Sequence, residues 1–142
     1  MQEKTIPHSI EAEQAVLGSM FLTKYALQKG IESLNENLFY LDSHSKIFSA
    51  IKDLSESNRP IDIMTVSEEL NRKNWLSAIG GIEYLTTVAR SVPTSANIDE
   101  YIKIVEEKAI LRRLIEEATN IVTDAYSSKN SINDILDNAE TK

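Results

Sequence analysis

The stretch Asn97-Ile98-Asp99-Glu100-Tyr101-Ile102-Lys103-Ile104-Val105-Glu106-Glu107-Lys108-Ala109-Ile110-Leu111-Arg112-Arg113-Leu114-Ile115-Glu116-Glu117-Ala118-Thr119-Asn120-Ile121-Val122-Thr123-Asp124-Ala125-Tyr126 decides the fold. It opens on capping-box spacing, Asn97-x-x-Glu100, and neither glycine nor proline follows anywhere up to Lys142. The pattern predicts one long helix, on the order of 45 Å from Ile98 to Tyr126 at 1.5 Å per residue. No single face of a 142-residue chain covers such a helix throughout, so part of it is expected to project. Its halves differ. Ile98, Tyr101, Ile102, Ile104 and Val105 spread round the circumference, as in a helix that touches several neighbours. Leu111, Leu114, Ile115, Ala118, Ile121, Val122 and Ala125 instead form a stripe at steps of three and four, flanked by Arg112, Arg113, Glu116 and Glu117.

Toward the C-terminus, Ser127-Ser128-Lys129-Asn130 reads as a turn. Ser131 then caps a helix with Ile132, Ile135, Leu136 and Ala139 at i, i+3, i+4 and i+7. A helix of about twelve residues is marginal alone. It is expected to fold back as an antiparallel hairpin. Two helices do not cover each other's apolar faces, so pairing of hairpins through Leu111, Leu114, Ala118, Val122, Ile132, Ile135 and Leu136 is the natural completion. Glu140-Thr141-Lys142 carries no C-cap signal, and the sequence is expected to belong to a longer protein.

Toward the N-terminus the stripes are shorter. Ser9 is a candidate N-cap with Glu11 and Glu13 in the first turn, where carboxylates favour the helix dipole, followed by Leu17, Met20 and Phe21. Gly18 inside this helix suggests close approach of a neighbouring backbone. Leu27, Ile31 and Leu34 form a second stripe, and Ile47, Phe48, Ile51 and Leu54 a third. Thr65-x-x-Glu68 has capping-box spacing before Val66 and Leu70, and Gly80-Gly81 precedes Ile82, Leu85 and Val88. The fold class is therefore all-α: a compact globular multi-helix head over residues 1–96, then a long helix and a C-terminal antiparallel helical hairpin over residues 97–142.

A chain with 42% apolar and 26% charged residues is expected to fold in water around one core, and its composition does not indicate disorder. No apolar run approaches the length of a spanning helix, and Met1-Gln2-Glu3-Lys4 does not begin a signal peptide, so neither a membrane nor export is expected. With no cysteine there is neither a disulfide nor a thiolate metal site, in keeping with a cytoplasmic setting. A net charge of −7, from 22 carboxylates against 15 basic groups, disfavours a phosphate backbone as direct ligand.

No catalytic, metal or cofactor site is expected. His8 and His44 are the only histidines, neither has a companion visible in sequence, and a structural role is expected for both. Asp42-Ser43-His44-Ser45-Lys46-Ile47 fails as a calcium loop, with Lys46 at the fifth position and no glycine at the sixth. Gly18, Gly30, Gly80 and Gly81 are too scattered to cradle phosphate. Residues 64–70 suit the first helix of a helix-turn-helix, but the recognition region, Asn74 to Tyr84, carries no Lys or Arg. Lys108, Arg112 and Arg113 are ringed by Glu106, Glu107, Glu116 and Glu117, as on a solvated helix face.

Ile6-Pro7-His8-Ser9-Ile10-Glu11-Ala12-Glu13-Gln14-Ala15-Val16-Leu17-Gly18, Phe39 and His44 ahead of Ile47-Phe48 together resemble the N-terminal domain of DnaB-type replicative DNA helicases. The resemblance continues through Pro60-Ile61-Asp62, Gly80-Gly81-x-x-Tyr84-Leu85, Pro93-Thr94-x-Ala96-Asn97 and Leu111-Arg112-Arg113-Leu114-Ile115, nearly the whole chain. Ser45 and Leu38 depart from it, in place of a larger polar or basic residue and an acidic one. The resemblance implies the collar of a hexameric, ATP-driven helicase whose RecA-like domain, holding ATP and magnesium, lies outside this sequence. It also implies hairpin dimers arranged as a ring, primase bound through its C-terminal domain, a helicase loader as a further partner, and little direct DNA binding. Glu11, Tyr84, Ile115 and Ile121 match places where primase contact, or the hairpin packing behind it, is expected in the family. Ile115 and Ile121 either touch primase or act through that packing. The alternatives are an independent helical DNA-binding regulator, a generic helical adaptor and a small enzyme.

Overall fold

A computed structural model describes residues 5–127 and 131–141, with the side chain of Thr141 left aside. Among these residues every regular element is helical: α1 Ile10–Leu22, α2 Lys24–Ser33, a 3-10 turn Glu36–Leu38, α3 Asp42–Glu56, α4 Ile63–Arg72, α5 Gly81–Ala89, α6 Ile98–Ser127 and α7 Ile132–Thr141. The all-α class is thus observed. The expected turn after Ser127 falls on residues 128–130, outside the described residues. None of the described helices is long and apolar enough to cross a membrane.

Caps set the helix starts. The Ser9 hydroxyl accepts from the Ala12 N–H at 3.1 Å and opens α1 as expected. Thr23 is extended, which stops α1, and its hydroxyl accepts from the Ala26 N–H to open α2. The box at α4 lies three residues earlier than Thr65-x-x-Glu68 suggests. Asp62 accepts from the Thr65 N–H at 2.8 Å, and the Thr65 hydroxyl accepts from the Asp62 N–H at 3.0 Å, so Thr65 is the third helical residue and not the cap. Ser131 accepts from the Asp134 N–H at 3.2 Å and opens α7.

Two asparagines set the ends of α3 and α4. Asn58 and Asn74 adopt left-handed φ values of 57° and 60°. After α3, Arg59 N–H reaches Leu54 O at 2.9 Å and Asn58 N–H reaches Ser55 O at 3.0 Å. After α4, Trp75 N–H reaches Leu70 O at 2.8 Å and Asn74 N–H reaches Asn71 O at 3.0 Å. Both are Schellman closures, which satisfy carbonyls that the helix itself leaves free.

The chain divides into two compact units, residues 8–109 and residues 1–7 with 110–142. The division falls inside α6, beyond the boundary expected at Asn97, because Ile98, Ile102, Val105 and Ala109 repeat at helical spacing and are buried. In the larger unit α1 is central, packing against α2, α3 and α5, while α4 packs on α3 and α5. That position explains why α1 is buried on most sides and not along one stripe. Val16, Leu17, Ile47, Phe48, Ile51, Leu54, Val66, Leu70, Leu85 and Val88 form the core with the start of α6. Each large aliphatic there contributes about 1.5–3 kcal/mol by burial. Gly18 lies where α1 meets the end of α5, and a Cβ there would sit 2.6 Å from the Val88 carbonyl oxygen. The close backbone approach suggested by this glycine is real.

Candidate interaction site

Within the larger unit a polar chain links α1, α3 and α5. Glu13, only 2% exposed, accepts from the Tyr40 N–H at 2.6 Å through Oε2. Its Oε1 lies 3.4 Å from the Leu41 N–H and 2.7 Å from His44 Nδ1. His44 is fully buried, and its Nε2 lies 2.6 Å from the Tyr84 hydroxyl, to which Gln14 Nε2 donates at 3.2 Å. The His44 and Tyr84 rings lie nearly parallel, 5.9 Å apart. His8 stacks on Tyr40 at 4.2 Å. The helix dipole role expected for Glu13 is therefore secondary. Its carboxylate fixes the backbone leading into α3, whose own N-cap, Leu41, supplies no side-chain hydrogen bond. His44 also has the acidic companion that sequence spacing did not reveal, since Glu13 stands 31 positions away.

Carboxylate, imidazole and hydroxyl in that order are the ingredients of a nucleophile-activating triad. Here the hydroxyl is a phenol whose oxygen is already shared with Gln14 and whose imidazole partner has no exposure to solvent. The arrangement holds Tyr84 and is assigned no reaction. The Tyr84 ring is half-buried and walls a shallow cleft of ≈ 570 Å³ with Leu41, Ser43, Ile79, Gly80 and Thr87. Glu11 is exposed on α1. Thus two of the expected residues, Glu11 and Tyr84, belong to the surface of this unit.

The other two belong to the smaller unit. Ile115 is exposed and lines a cleft of ≈ 440 Å³ with Ile6, Arg112, Glu116 and Thr119, and Arg112 Nη1 donates to the Pro7 carbonyl at 3.0 Å. Ile121 is half-buried. Along the expected stripe Leu111, Leu114, Ile115, Val122, Ile132 and Leu136 are between 43% and 77% exposed. Ala118 is exposed too, and Ile135 is half-buried. Past Ala109 no described residue of α6 is buried.

A charged cluster joins α3 and α4. Glu69 accepts from Arg72 Nε at 3.1 Å and Nη2 at 2.6 Å, while Lys73 pairs with Asp53. The hydrogen bonds from Arg72 hold the Glu69 carboxyl below its ordinary value of 4.5, against an opposing effect of burial. Among the described residues no group of three or more His, Asp or Glu side chains could hold a metal ion. The scattered glycines offer no phosphate cradle either. Among the described residues no side-chain set fits ATP or magnesium, and no step through them is assigned here.

The described residues thus form a multi-helix head, one long helix and a further amphipathic helix. The family described as DnaB-like helicase N terminal domain matches residues 5–107, and the chain belongs to it. It is 48% identical over 140 residues to the replicative DNA helicase DnaC of Bacillus subtilis (strain 168), an alignment that spans 99% of this chain but 31% of that protein. The N-terminal domain of DnaB helicase from Mycobacterium tuberculosis superposes with a TM-score of 0.92 at 40% identity, covering 96% of both chains. The N-terminal domain of DnaB helicase from Helicobacter pylori, described together with its interactions with primase, shares the fold at a TM-score of 0.69 and 22% identity. That match covers 82% of this chain and 90% of the other.

Proposed function

We propose that this chain is the N-terminal collar domain of a cytoplasmic, hexameric, ATP-driven replicative DNA helicase, that it mediates subunit assembly, and that it binds primase. The carrying observation is the row of exposed leucine, isoleucine and valine side chains on α6 and α7. Such a row on an acidic, charge-rich surface marks a protein interface. Family membership supports the choice of assembly, and the primase interactions described for the Helicobacter pylori domain of the same fold support the choice of partner. In this reading hairpins pair through Leu111, Leu114, Ala118, Val122, Ile132, Ile135 and Leu136. Glu11, Tyr84, Ile115 and Ile121 form or support the primase-facing surface, and the motor belongs to another domain of the parent helicase. A direct DNA-reading role is not proposed, because residues 74–84 carry no Lys or Arg on a chain of net charge −7.

Two measurements test this. Calorimetric titration of the chain with the C-terminal domain of its cognate primase is expected to show saturable binding that Ile115→Ala weakens; absence of binding at millimolar concentration refutes the primase assignment. Sedimentation is expected to show concentration-dependent association that Ile121→Asp weakens, since a charge in an apolar interface is costly. Unchanged association of a folded Ile121→Asp variant refutes the hairpin assignment.

A further inference from the structure

We infer that Glu13 and His44 are positioning residues for Tyr84: they lock its phenol from inside the head so that its ring stands as a fixed wall of the cleft on the outside. The consequence for primase rests on the function proposed above; the lock itself does not.

The donor directions lead to this. The Tyr40 and Leu41 N–H groups are fixed donors on Glu13, and a carboxylate only accepts. With a neutral imidazole, the ring proton of His44 then sits on Nδ1, pointing at Glu13, and Nε2 accepts. Tyr84 O–H donates to Nε2, and the free lone pair of its oxygen accepts from the Gln14 amide. Each group thus orients the next, and every hydrogen bond runs from the surface inward to the carboxylate.

Among the described residues no other side chain is hydrogen-bonded to the phenol. Its hydroxyl is the only polar atom of the side chain, and both of its hydrogen bonds are side chain to side chain. The ring is also set by its near-parallel stacking on His44 and by Gly80, where a Cβ would come within 2.9 Å of the Tyr84 Cβ. Gly80 lies in the left-handed region at φ 109°, so the chain turns under the ring without crowding it. Removing the carboxylate's charge frees His44 to change tautomer and Tyr84 to lose its acceptor, though neither Glu13 nor His44 is exposed to any partner.

The test has two arms, both on the 142-residue chain. In the first, the tyrosine ¹³Cζ resonance of Tyr84 is recorded without any partner. Glu13→Gln is expected to move it, because the hydroxyl's hydrogen bonding changes; an unmoved resonance in a folded variant overturns the lock. In the second, calorimetry with the primase C-terminal domain measures Glu13→Gln, Tyr84→Phe and the double variant. Each single change is expected to weaken binding about 3–10-fold, the scale of one hydrogen bond. The double variant is expected to bind no worse than the weaker single, since both act through one hydroxyl. Losses that multiply overturn the positioning role and leave Glu13 a purely structural residue. If Glu13→Gln does not fold, Glu13→Asp, which keeps the charge but draws the carboxylate back by one methylene from His44 Nδ1, replaces it in both arms with the same expectations. Failure of the unaltered chain to bind primase refutes the proposed partner, while the resonance still decides the lock.

Discussion

Replacing Gly18 by alanine sets two opposed effects against each other. In an open helix the change stabilises by about 1 kcal/mol, because alanine loses less backbone freedom on folding. In this chain the new methyl would stand 2.6 Å from Val88 O and 2.4 Å from Ser91 Oγ. Ordinary contact begins at 3.4 Å, so the Val88 carbonyl would have to withdraw by about 0.8 Å. That oxygen is backbone at the end of α5 and cannot rotate away as a side chain would. The Ser91 hydroxyl, which donates to Gln14 O at 3.0 Å and Val88 O at 2.8 Å, would be displaced as well, at about 1 kcal/mol for the lost bond. Overpacking of this kind costs about 1–3 kcal/mol. The clash wins, and Gly18→Ala is expected to destabilise by about 1–3 kcal/mol. Urea unfolding followed by circular dichroism reads this as a lower midpoint, at fixed protein concentration because the self-association proposed above would shift the midpoint by mass action. Adding Ser91→Ala removes the hydroxyl but not the carbonyl, so the double variant is expected to recover part of the loss. A Gly18→Ala midpoint equal to or above the unaltered chain would refute the reasoning.

Other expectations follow from single contacts. The buried Ser19 hydroxyl has no hydrogen-bond partner among the described residues, so Ser19→Ala is expected to raise stability by about 1 kcal/mol, seen as a melting temperature higher by a few degrees. Asp62→Ala removes the α4 cap and is expected to cost about 1 kcal/mol in the same assay, with Asp62→Asn largely restoring it. Glu69 has its carboxyl lowered by Arg72, so its contribution to stability is present above pH 4.5 and is lost as pH falls through the lowered value. Unfolding midpoints across that range should fall less steeply in Glu69→Gln; an unchanged slope would remove Glu69 from the acid response.

What sequence reading reached, and what it missed, follows from distance along the chain. Ser9 caps α1 as its side-chain chemistry suggests, and the stripe of α3 and the run of α6 lie where periodicity puts them. Thr65-x-x-Glu68 misled because Asp62-x-x-Thr65 satisfies the same chemistry one turn earlier, and spacing alone does not choose between overlapping boxes. The asparagines closing α3 and α4 carried a usable signal, since asparagine is the residue after glycine that best tolerates the left-handed region. The Glu13 to His44 to Tyr84 chain carried none. Its members are separated by 31 and 40 positions, and each has an unremarkable local explanation as first-turn acid, helix-start histidine or corner tyrosine. The site roles of Glu11, Tyr84, Ile115 and Ile121 came from likeness to a family and not from any local signal of spacing or periodicity.

That buried chain also bears on how the head reaches one structure and no other. Oily helix faces can slide a residue past each other and still exclude water, and they discriminate poorly between neighbouring alignments. A carboxylate, an imidazole and a phenol drawn from three helices close only when all three arrive in a single register. Any slip strands an ionisable group away from water at a cost of several kcal/mol. Because the closing bonds join residues 31, 40 and 70 positions apart, they form only after α1, α3 and α5 have docked. A packing displaced by one residue would break all three of these bonds at once while leaving much of the apolar contact in place.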